Sequence, residues 1–424
     1  MGKKLKKIRT AYSISEYRLP NGLRLLYKRE KAAPVVCVCV TFHVGSRNEK
    51  KGHTGSTHIL EHLLFKDSKN FNKENGKAIT DYLEWFGAYI NATTWLDRTN
   101  YFELLPKEKL AEAIELEADR MRGSLFSDAD LASEMTVVRN EYERSRNSPF
   151  ELLDEAVTAA AYVKHPYRIP TIGTKEDIEN STATKLREFY DTFYWPNNAT
   201  LSVMGDVSFR EVEKLVLRYF GPIPRSPKPI PKLAIKEPRQ IAKRSVRLKK
   251  PGGVSIAELA FKIPEGTHED FPALLAVSGV LAGGFSSRLR KALVDTGMAA
   301  DVSSSTHPLH DPGLMTFTAH AADGIKPELV LSLMRKEIYA LGAKPVTNGE
   351  LARAKERLLA ECAYERDGVF TETRVLSEAI AAGDWTLAYR FEEAVEELKL
   401  QDLTRAARKY LRKEGETGGV LKGN

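Results

Sequence analysis

The sequence predicts an α+β fold in which two halves each pack helices against a sheet. Each half opens with an apolar, strand-like run, at residues 35–44 and at residues 254–263, and then passes to helical patterns. A tract rich in proline and lysine separates the halves. The predicted organisation is a first domain over residues 1–222, a basic proline-rich linker over residues 223–245 and a second domain over residues 246–424.

A weak internal repeat indicates that the two halves are homologous. Residues 131–144 can be laid over residues 351–364 without a gap, so that Glu141 falls on Glu361. Repeated supersecondary units of this kind are typical of duplication. The two histidines of the first half that are discussed below have no counterpart in the second, so a metal site is expected in the first half alone.

The positive charge of the chain is concentrated in the linker. The net charge is +7, and residues 221–251 contain ten Lys or Arg residues and one acidic residue, Glu237, which together contribute +9. The rest of the chain therefore carries 7 − 9 = −2. A proline- and lysine-rich tract is typical of an extended, solvated linker. Nucleic-acid binding would depend on this tract alone, and we expect neither a nucleic-acid partner nor a membrane partner.

The compartment is predicted from the N-terminus and the cysteines. Residues 1–7 are basic but lack the apolar run of a signal peptide, and no stretch reaches the roughly 18 apolar residues of a membrane span. Cys37 and Cys39 lie two apart in a strand-like run, which favours buried thiols over metal binding. A cytoplasmic protein is expected.

The segment that follows the first apolar run predicts a helix and a hairpin. Residues 75–86 have helical periodicity, which ends at a Gly-Ala pair. Residues 89–94 and 100–105 then read as two strands of a hairpin.

The segment at residues 57–65, THILEHLLF, contains the side chains that point to chemistry. Positions four apart lie on one face of a helix, so His58 and His62 present their imidazoles to one point. Neutral imidazoles are zinc ligands, and Glu61 beside them can accept the proton of an attacking water. An ordinary amphipathic helix with solvent-facing histidines is the alternative. The apolar neighbours leave little polar face, so the polar side chains are expected to be partly buried and to need partners.

Glu141 is the candidate for a third metal ligand. Ser127 and Asp130 form a capping-box pattern that predicts a helix over residues 128–146, which carries Glu141. Glu134 lies seven residues earlier on the same face. One carboxylate can bind the metal while the other braces a histidine.

With these residues in place, the chain resembles the pitrilysin/insulysin/mitochondrial processing peptidase family of inverzincins, in its short type with one pair of repeats. The matching segments are HILEHLLFK at 58–66, GA at 87–88 with NATT at 91–94, DRTNY at 97–101, ELEADRM at 115–121, residues 134–141, HPY at 165–167, PNNATL at 196–201 and GDV at 205–207. They run over nearly the whole chain.

The resemblance implies two similar α/β-sandwich domains that form a half-shell and face a second subunit across a chamber. It carries the zinc ligands over to His58, His62 and Glu141, the base to Glu61 and a supporting carboxylate to Glu134. The implied activity is that of a zinc-dependent endopeptidase that hydrolyses peptides or unfolded polypeptides inside the chamber.

The resemblance also implies where the substrate binds. Asn91, Ala92 and Thr93 match an edge strand on which family members pair the main chain of the substrate. Pairing through the main chain requires no particular substrate side chain, so broad specificity is expected.

The second half departs from the family pattern. Family members that complete a catalytic chamber carry an Arg and a Tyr seven residues apart, and alignment on Gly297 places Leu293 and Ala300 there. Arg288 and Arg290 lie nearby and are interpreted as solvated or structural. The expected partner is a homologous chain that lacks the H-x-x-E-H motif and carries the Arg/Tyr pair. The alternative is a homodimer in which a residue such as Arg290 binds the substrate carbonyl.

Two further interpretations compete with this one. A structural or assembly subunit could have the fold without turnover, but the metal-ligand set and the base are intact here. His307, His310 and His320 could form a second metal site. Histidines spread over loop-like sequence are more typical of a surface.

Overall fold

The computed structural model describes residues 5–423, so the first four residues of the basic N-terminal segment lie outside the described part. The strands are β1 Lys6–Ala11, β2 Ile14–Arg18, β3 Arg24–Arg29, β4 Val35–Phe42, β5 Tyr89–Thr94, β6 Thr99–Pro106, β7 Ala199–Gly205, β8 Arg244–Lys250, β9 Ile256–Lys262, β10 Ala299–Thr306, β11 Leu314–Ala321 and β12 Glu416–Gly423. The helices are α1 Ser56–Leu63, α2 Ile79–Glu84, α3 Leu110–Gly123, α4 Asp128–Asn147, α5 Pro149–Ala161, α6 Lys175–Glu179, α7 Ala183–Phe193, α8 Phe209–Tyr219, α9 Phe271–Ala282, α10 Pro327–Ala340, α11 Asn348–Glu365, α12 Val369–Ala382, α13 Leu387–Glu397 and α14 Leu400–Tyr410. A short π-helical turn spans Arg290–Val294. Within the described residues, no helix is both long enough and apolar enough to cross a membrane.

The first compact unit contains a seven-stranded sheet. It comprises the chain up to Tyr142, Pro170–Ala234 and Glu365–Ala381. The strand order is β1-β2-β3-β7-β4-β6-β5, with β3 and β7 parallel and every other pair antiparallel. Alternate residues of β4, among them Val38 and Val40, join the apolar side chains of α1 and α3 in one core.

The second compact unit contains a five-stranded sheet. It comprises Glu143–Ile169, Ile235–Tyr364 and the chain from Ala382 onward. The strand order is β10-β11-β9-β12-β8, with β8 and β12 parallel and the other pairs antiparallel. The predicted α+β class with two sheet-containing domains is confirmed.

The compact units are discontinuous in sequence, whereas the predicted domains follow the chain. Helix α5 lies in the first half of the sequence but belongs to the second unit, where Leu153 and Val157 pack on β9 and β12. Helix α12 lies in the second half but belongs to the first unit, where Ser377 bonds Thr41 of β4 at 2.8 Å. Each unit therefore contains one helix supplied by the opposite half of the sequence.

The expected helix over residues 75–86 is wrong at its start. Only Ile79–Glu84 is helical, because Asn72 and Asn75 hydrogen-bond backbone groups of the preceding turn and Gly76 has a φ of +71°. Asparagine side chains compete with helix formation in this way. The hairpin of β5 and β6 and the strand-like runs at β4 and β9 are confirmed.

The capping box that opens α4 is also confirmed. The backbone N–H of Ser127 donates to Asp130 Oδ2 at 2.9 Å, and the backbone N–H of Asp130 donates to Ser127 Oγ at 3.1 Å. The reciprocal bonds satisfy helix N-terminal donors, and α4 begins at Asp128, as expected.

Cys37 and Cys39 are buried, as the sequence predicts. They lie on the face of β4 that α12 covers, and burial raises the pKa of the Cys37 thiol to about 12. Both thiols are therefore protonated in the folded protein at neutral pH.

The predicted linker has no regular structure before β8, but it is not simply solvated. Glu237 accepts the backbone N–H groups of Val163, Lys164 and His165 at 2.8 to 2.9 Å and pairs with Lys262 at 2.8 Å. Burial alone would raise the pKa of Glu237, but these bonds lower it to about 2. The interpretation of the whole tract as a solvated linker is therefore wrong at Glu237.

Candidate metal centre

Helix α1 begins at a glycine that no other residue could replace without rearrangement. Gly55 has a φ of +88°, and a Cβ there would lie 2.5 Å from the carbonyl oxygen of Ile172. Positive φ is accessible to glycine at little cost. This position lets the chain turn sharply into the helix that carries His58.

The buried carboxylate of Glu49 satisfies the donors at the start of α1. It accepts the backbone N–H of Gly55 at 2.8 Å and both the N–H and the hydroxyl of Thr57 at 2.7 Å. Burial raises the pKa of Glu49 to about 8, even though these bonds lower it in part. No signal in the sequence points to this residue, because a cap eight residues before its partner matches no local capping pattern.

His58, His62 and Glu141 converge on one point. His58 Nε2 lies 3.5 Å and His62 Nε2 lies 3.6 Å from Glu141 Oε2, and one ligand atom from each residue falls within 4.8 Å of the others. The histidines are one helical turn apart on α1, and Glu141 projects from α4. Among the described residues this is the one group of three or more His, Cys, Asp or Glu side chains that could hold a metal ion.

The electrostatic environment keeps His58 neutral. Burial lowers its pKa to about 4, and the neighbouring His62 adds to this effect. His58 Nδ1 is buried and has no hydrogen-bond partner within the described part of the chain. A neutral imidazole offers a lone pair, which is the form in which histidine binds metals.

Glu134 braces His62 from the opposite side. Its Oε2 lies 3.1 Å from His62 Nδ1, and its Oε1 lies 2.6 Å from the ammonium group of Lys66. Burial alone would raise the pKa of Glu134, but the hydrogen bonds from Lys66 and His62 lower it below its ordinary value. Glu134 is therefore ionised and orients the ring so that Nε2 faces Glu141. No pattern in the sequence points to Lys66 as the partner of Glu134.

Glu61 lies on α1 one turn after His58 and directly before His62 in sequence. Burial raises its pKa, and the hydroxyl of Thr94 and the imidazole of His62 offset part of this effect. A carboxylate with a raised pKa is a stronger base than an exposed one.

The C-terminus of α1 is hydrogen-bonded by a buried cation. Arg120 Nε donates to the carbonyl oxygen of Leu64 at 3.2 Å, and its guanidinium pairs with Glu117 and Glu103. All three charged side chains are fully buried. A carbonyl at a helix C-terminus carries partial negative charge, so Arg120 stabilises the helix end.

The three predicted substrate-binding residues lie on β5, which is an edge of the first sheet. Asn91 and Thr93 are exposed, and Ala92 is buried. The Asn91 side-chain oxygen accepts the N–H of Ala92 at 2.8 Å.

The two residues that replace the family's Arg/Tyr pair lie in different surroundings in the second unit. Leu293 is fully buried in the apolar core of this unit, whereas Ala300 is exposed on β10. Arg288 pairs with Glu350 at 2.7 Å and is structural, as predicted. Arg290 lies 4.6 Å from the ring of Phe285.

The three histidines considered as a second metal site have separate partners. His307 bonds Ser305 at 2.8 Å, and His310 lies 3.2 Å from Asp311. The ring of His320 lies against that of Phe150, tilted by 33° with centroids 4.2 Å apart. They form no metal-binding group within the described residues.

Two imidazoles and one carboxylate are the ligand set of several zinc peptidases. The chain belongs to the insulinase family (peptidase family M16): residues 24–175 match the family model described as insulinase, peptidase family M16, and residues 180–358 match the model described as the peptidase M16 inactive domain.

Among its relatives is the zinc protease PqqE of Helicobacter pylori, with 32% identity over 95% of this chain and 91% of that protein. The zinc protease YmxG of Bacillus subtilis is 27% identical over 81% of this chain and 82% of that protein. The crystal structure of a protease from Helicobacter pylori superposes with a TM-score of 0.91 at 30% identity, over 96% of this chain and 99% of that one.

Proposed function

We propose that the protein is a zinc-dependent endopeptidase with His58, His62 and Glu141 as metal ligands and Glu61 as general base. The convergence of these three ligand atoms within 4.8 Å carries the proposal. Two imidazoles and one carboxylate form a donor set found in catalytic zinc sites, which use three protein ligands and leave a position for water or substrate. The relatives named as zinc proteases support the same assignment.

The donor set fits zinc because its charges and protonation states are already those that a cation requires. His58 is neutral, and Glu134 fixes the Nδ1 side of the His62 ring. Ligand histidines are commonly braced in this way by a carboxylate. The two imidazole Nε2 atoms both face one oxygen of Glu141, so that three possible ligand atoms surround one point.

The side chains would then divide the reaction between them. Zinc bound at this site supplies a Lewis acid that polarises water and a peptide carbonyl. Glu61 accepts a proton from the attacking water on its carboxylate and later returns a proton to the leaving amine. Glu134 keeps the His62 ring oriented throughout.

The substrate main chain would add to the free edge of β5. An edge strand presents unpaired N–H and C=O groups, and an extended peptide can add to it as a further strand. The N–H of Ala92 is held by the Asn91 side chain in this structure, so that side chain would move aside when a substrate strand pairs.

The metal assignment is tested by elemental analysis of the purified protein. We expect about one zinc per chain, as in other three-ligand sites, and loss of zinc in the His58→Ala/His62→Ala double variant. The matched control is His307→Ala/His310→Ala, which removes two histidines of the rejected cluster and should retain zinc. Full zinc retention in the first variant would refute the ligand assignment.

The base is tested with Glu61→Gln, which preserves size but cannot accept the proton. We expect normal zinc content and loss of peptide hydrolysis by about 100-fold or more. Hydrolysis of a mixed peptide library at the wild-type rate would show that another group is the base. Inactivity of the wild-type chain both alone and with the homologous partner proposed below would favour a non-catalytic subunit.

We propose, in addition, that the active enzyme is a heterodimer. Leu293 and Ala300 offer no donor for a substrate carbonyl, and Arg288 is already paired with Glu350. Loss of preorganised donors costs about 100-fold or more in rate. A homologous chain with the Arg/Tyr pair and without H-x-x-E-H would supply them. Assays of this chain alone and with such a homologue distinguish the two cases: full activity of the isolated chain, unchanged by the second, would leave the homodimer.

A further inference from the structure

Helix α12 contacts the edge strand of the first sheet and its neighbour, although it is encoded in the second half of the sequence. Near its start, the ring of Phe370 lies 5.6 Å from that of Tyr89 on β5. Near its middle, Ser377 Oγ accepts a hydrogen bond from the Asn100 side chain on β6 at 2.8 Å. The next residue, Glu378, pairs with Arg98 in the turn between β5 and β6.

All three nitrogens of the Arg98 guanidinium donate hydrogen bonds. Its Nε donates to Glu378 Oε1 at 3.0 Å, and Nη2 donates to the same oxygen. Its Nη1 donates to the carbonyl oxygen of Thr93 at 3.0 Å and to the Thr93 hydroxyl at 2.6 Å. The side chain is only 8% exposed, so these bonds form in a partly desolvated setting where they are strong.

The ladder geometry shows which groups of β5 are available to an added strand. The N–H of Trp95 donates to the carbonyl of Arg98, and hydrogen-bonded and non-bonded residues alternate along an antiparallel pair. Thr93 therefore directs its backbone groups toward β6, whereas Ala92 and Thr94 direct theirs to the free edge. Arg98 thus hydrogen-bonds Thr93, which lies between the outward-facing residues Ala92 and Thr94.

We infer that Arg98 and Glu378 are a positioning pair for the substrate: Glu378 aims the guanidinium at Thr93, which fixes the free edge of β5 beside the metal centre. The inference rests on the proposed function, because it assumes that the substrate pairs with this edge. Neither residue touches the reacting atoms. Their effect is exerted through Thr93 on the outward-facing groups of Ala92 and Thr94.

The experiment measures the binding of a fluorescein-labelled, random-coil peptide of mixed sequence by anisotropy, in a Glu61→Gln background that does not consume the peptide. Addition of Glu378→Gln should weaken the Kd about tenfold, the effect of losing one charge-assisted interaction. In the active enzyme the same substitution should raise KM by a similar factor and change kcat by less than about threefold, because the groups at the reacting centre are unchanged.

The matched control lies on the same helix. Glu372 pairs with Lys28 of β3 at 2.7 Å and is at least as buried as Glu378, and this ion pair is with β3 rather than with β5. Glu372→Gln removes an ion pair between α12 and β3. We expect it to leave the peptide Kd within about twofold, since this pair is not made with β5. Equal weakening by Glu372→Gln and Glu378→Gln would overturn the inference in favour of a general stabilising role of α12.

A charge reversal separates pairing from positioning. The Arg98→Glu/Glu378→Arg double variant can restore the ion pair and the thermal stability. The carboxylate that it introduces at position 98 has no proton to donate to Thr93, so peptide binding should stay weak. Full recovery of binding in this variant would overturn the inference. If Glu378→Gln does not fold, Glu378→Asp provides the same test, because a shorter acid aims the guanidinium less well.

Failure of this inference can be distinguished from failure of the proposed function. Zinc content and hydrolysis by the wild-type chain test that function, whereas peptide binding in the Glu61→Gln background tests the positioning pair. A chain that hydrolyses no peptide even with its homologous partner, but shows Glu378-dependent binding, would refute the first and support the second. Hydrolysis with a KM that is insensitive to Glu378→Gln would do the reverse.

Discussion

The two sheets of this protein have the same core topology but different chemistry. The order β3-β7-β4-β6-β5 in the first unit corresponds to β8-β12-β9-β11-β10 in the second, and each corresponding pair of strands runs in the same sense. The agreement supports the duplication inferred from the weak repeat. Yet the described residues place a His-His-Glu group in the first unit alone.

The difference lies in two helices rather than in the scaffold. After the first central strand, α1 presents His58, Glu61 and His62 on one face. After the corresponding strand of the second unit, α9 is almost wholly apolar, with the sequence FPALLAVSGVLA. The counterpart of Glu141 in the repeat, Glu361, is half exposed and pairs with Arg357 on its own helix at 2.9 Å. A carboxylate without facing imidazoles makes an ordinary helix-surface ion pair.

The largest effect is expected when the first half of the sequence is produced without the helix that the second half supplies to its sheet. A fragment of residues 1–240 lacks α12, which covers the face of β4 that carries Cys37 and Cys39 in the first unit. We expect this fragment to lose cooperative unfolding in circular dichroism melts and to expose both thiols to Ellman's reagent. Co-expression with residues 241–424 should restore both properties. A cooperative melt of the isolated fragment, with protected thiols, would show that the first half folds without the second.

Restoring the family's Arg/Tyr pair in the second unit should fail at one position. Leu293→Arg places a charge in an apolar core, and we expect a loss of about 3 kcal/mol or more in the free energy of unfolding. Ala300→Tyr, at an exposed site, should change it by less than about 0.5 kcal/mol. Urea denaturation of the two variants measures both. Similar midpoints would mean that the π-helical turn can rearrange to release position 293.

The third test concerns the brace of the metal centre. Glu134→Gln cannot provide an ionised partner for His62, and we expect zinc affinity to fall about 10- to 100-fold. Glu361→Gln in the second unit serves as control and should leave zinc affinity unchanged. Competition with a chromogenic chelator measures both affinities. Equal effects of the two substitutions on zinc affinity would contradict the conclusion that the metal site belongs to the first unit.

The last test concerns a pH dependence of stability that originates in the second unit. Burial raises the pKa of Glu258 on β9 to about 8, and the nearby carboxylate of Asp154 on α5 contributes. The folded protein therefore keeps a proton that the unfolded chain, with an ordinary pKa of 4.5, has released. The free energy of unfolding should fall as pH rises from about 5 to about 8, with a slope of up to about 1.4 kcal/mol per pH unit for this group.

The contribution of Glu258 is obtained from the difference between the wild-type and Glu258→Gln stability curves. Glutamine keeps the shape and cannot titrate, so the variant should be less sensitive to pH over that interval. Superimposable pH profiles would contradict the raised pKa.

Much of the candidate site was predictable because it is encoded locally. Helical geometry places His58, Glu61 and His62 on one face whatever the rest of the fold does. The capping box at Ser127 sets the start of α4, and helical periodicity then places Glu134 and Glu141 on a common face. The convergence of α1 and α4 was implied by the family resemblance, since spacing within a helix carries no information about its neighbours.

What the sequence by itself determined about this protein is therefore the two-sheet α+β class and the composition of the site. Only the tertiary structure decided which sheet α5 and α12 would cover, that Glu49 would cap α1, and that Leu293 would be buried. It also paired Arg98 with Glu378, which lie 280 residues apart. The physical reason is range: periodicity and capping report interactions within a few residues, whereas burial and ion pairs between distant segments depend on the packing of the whole unit.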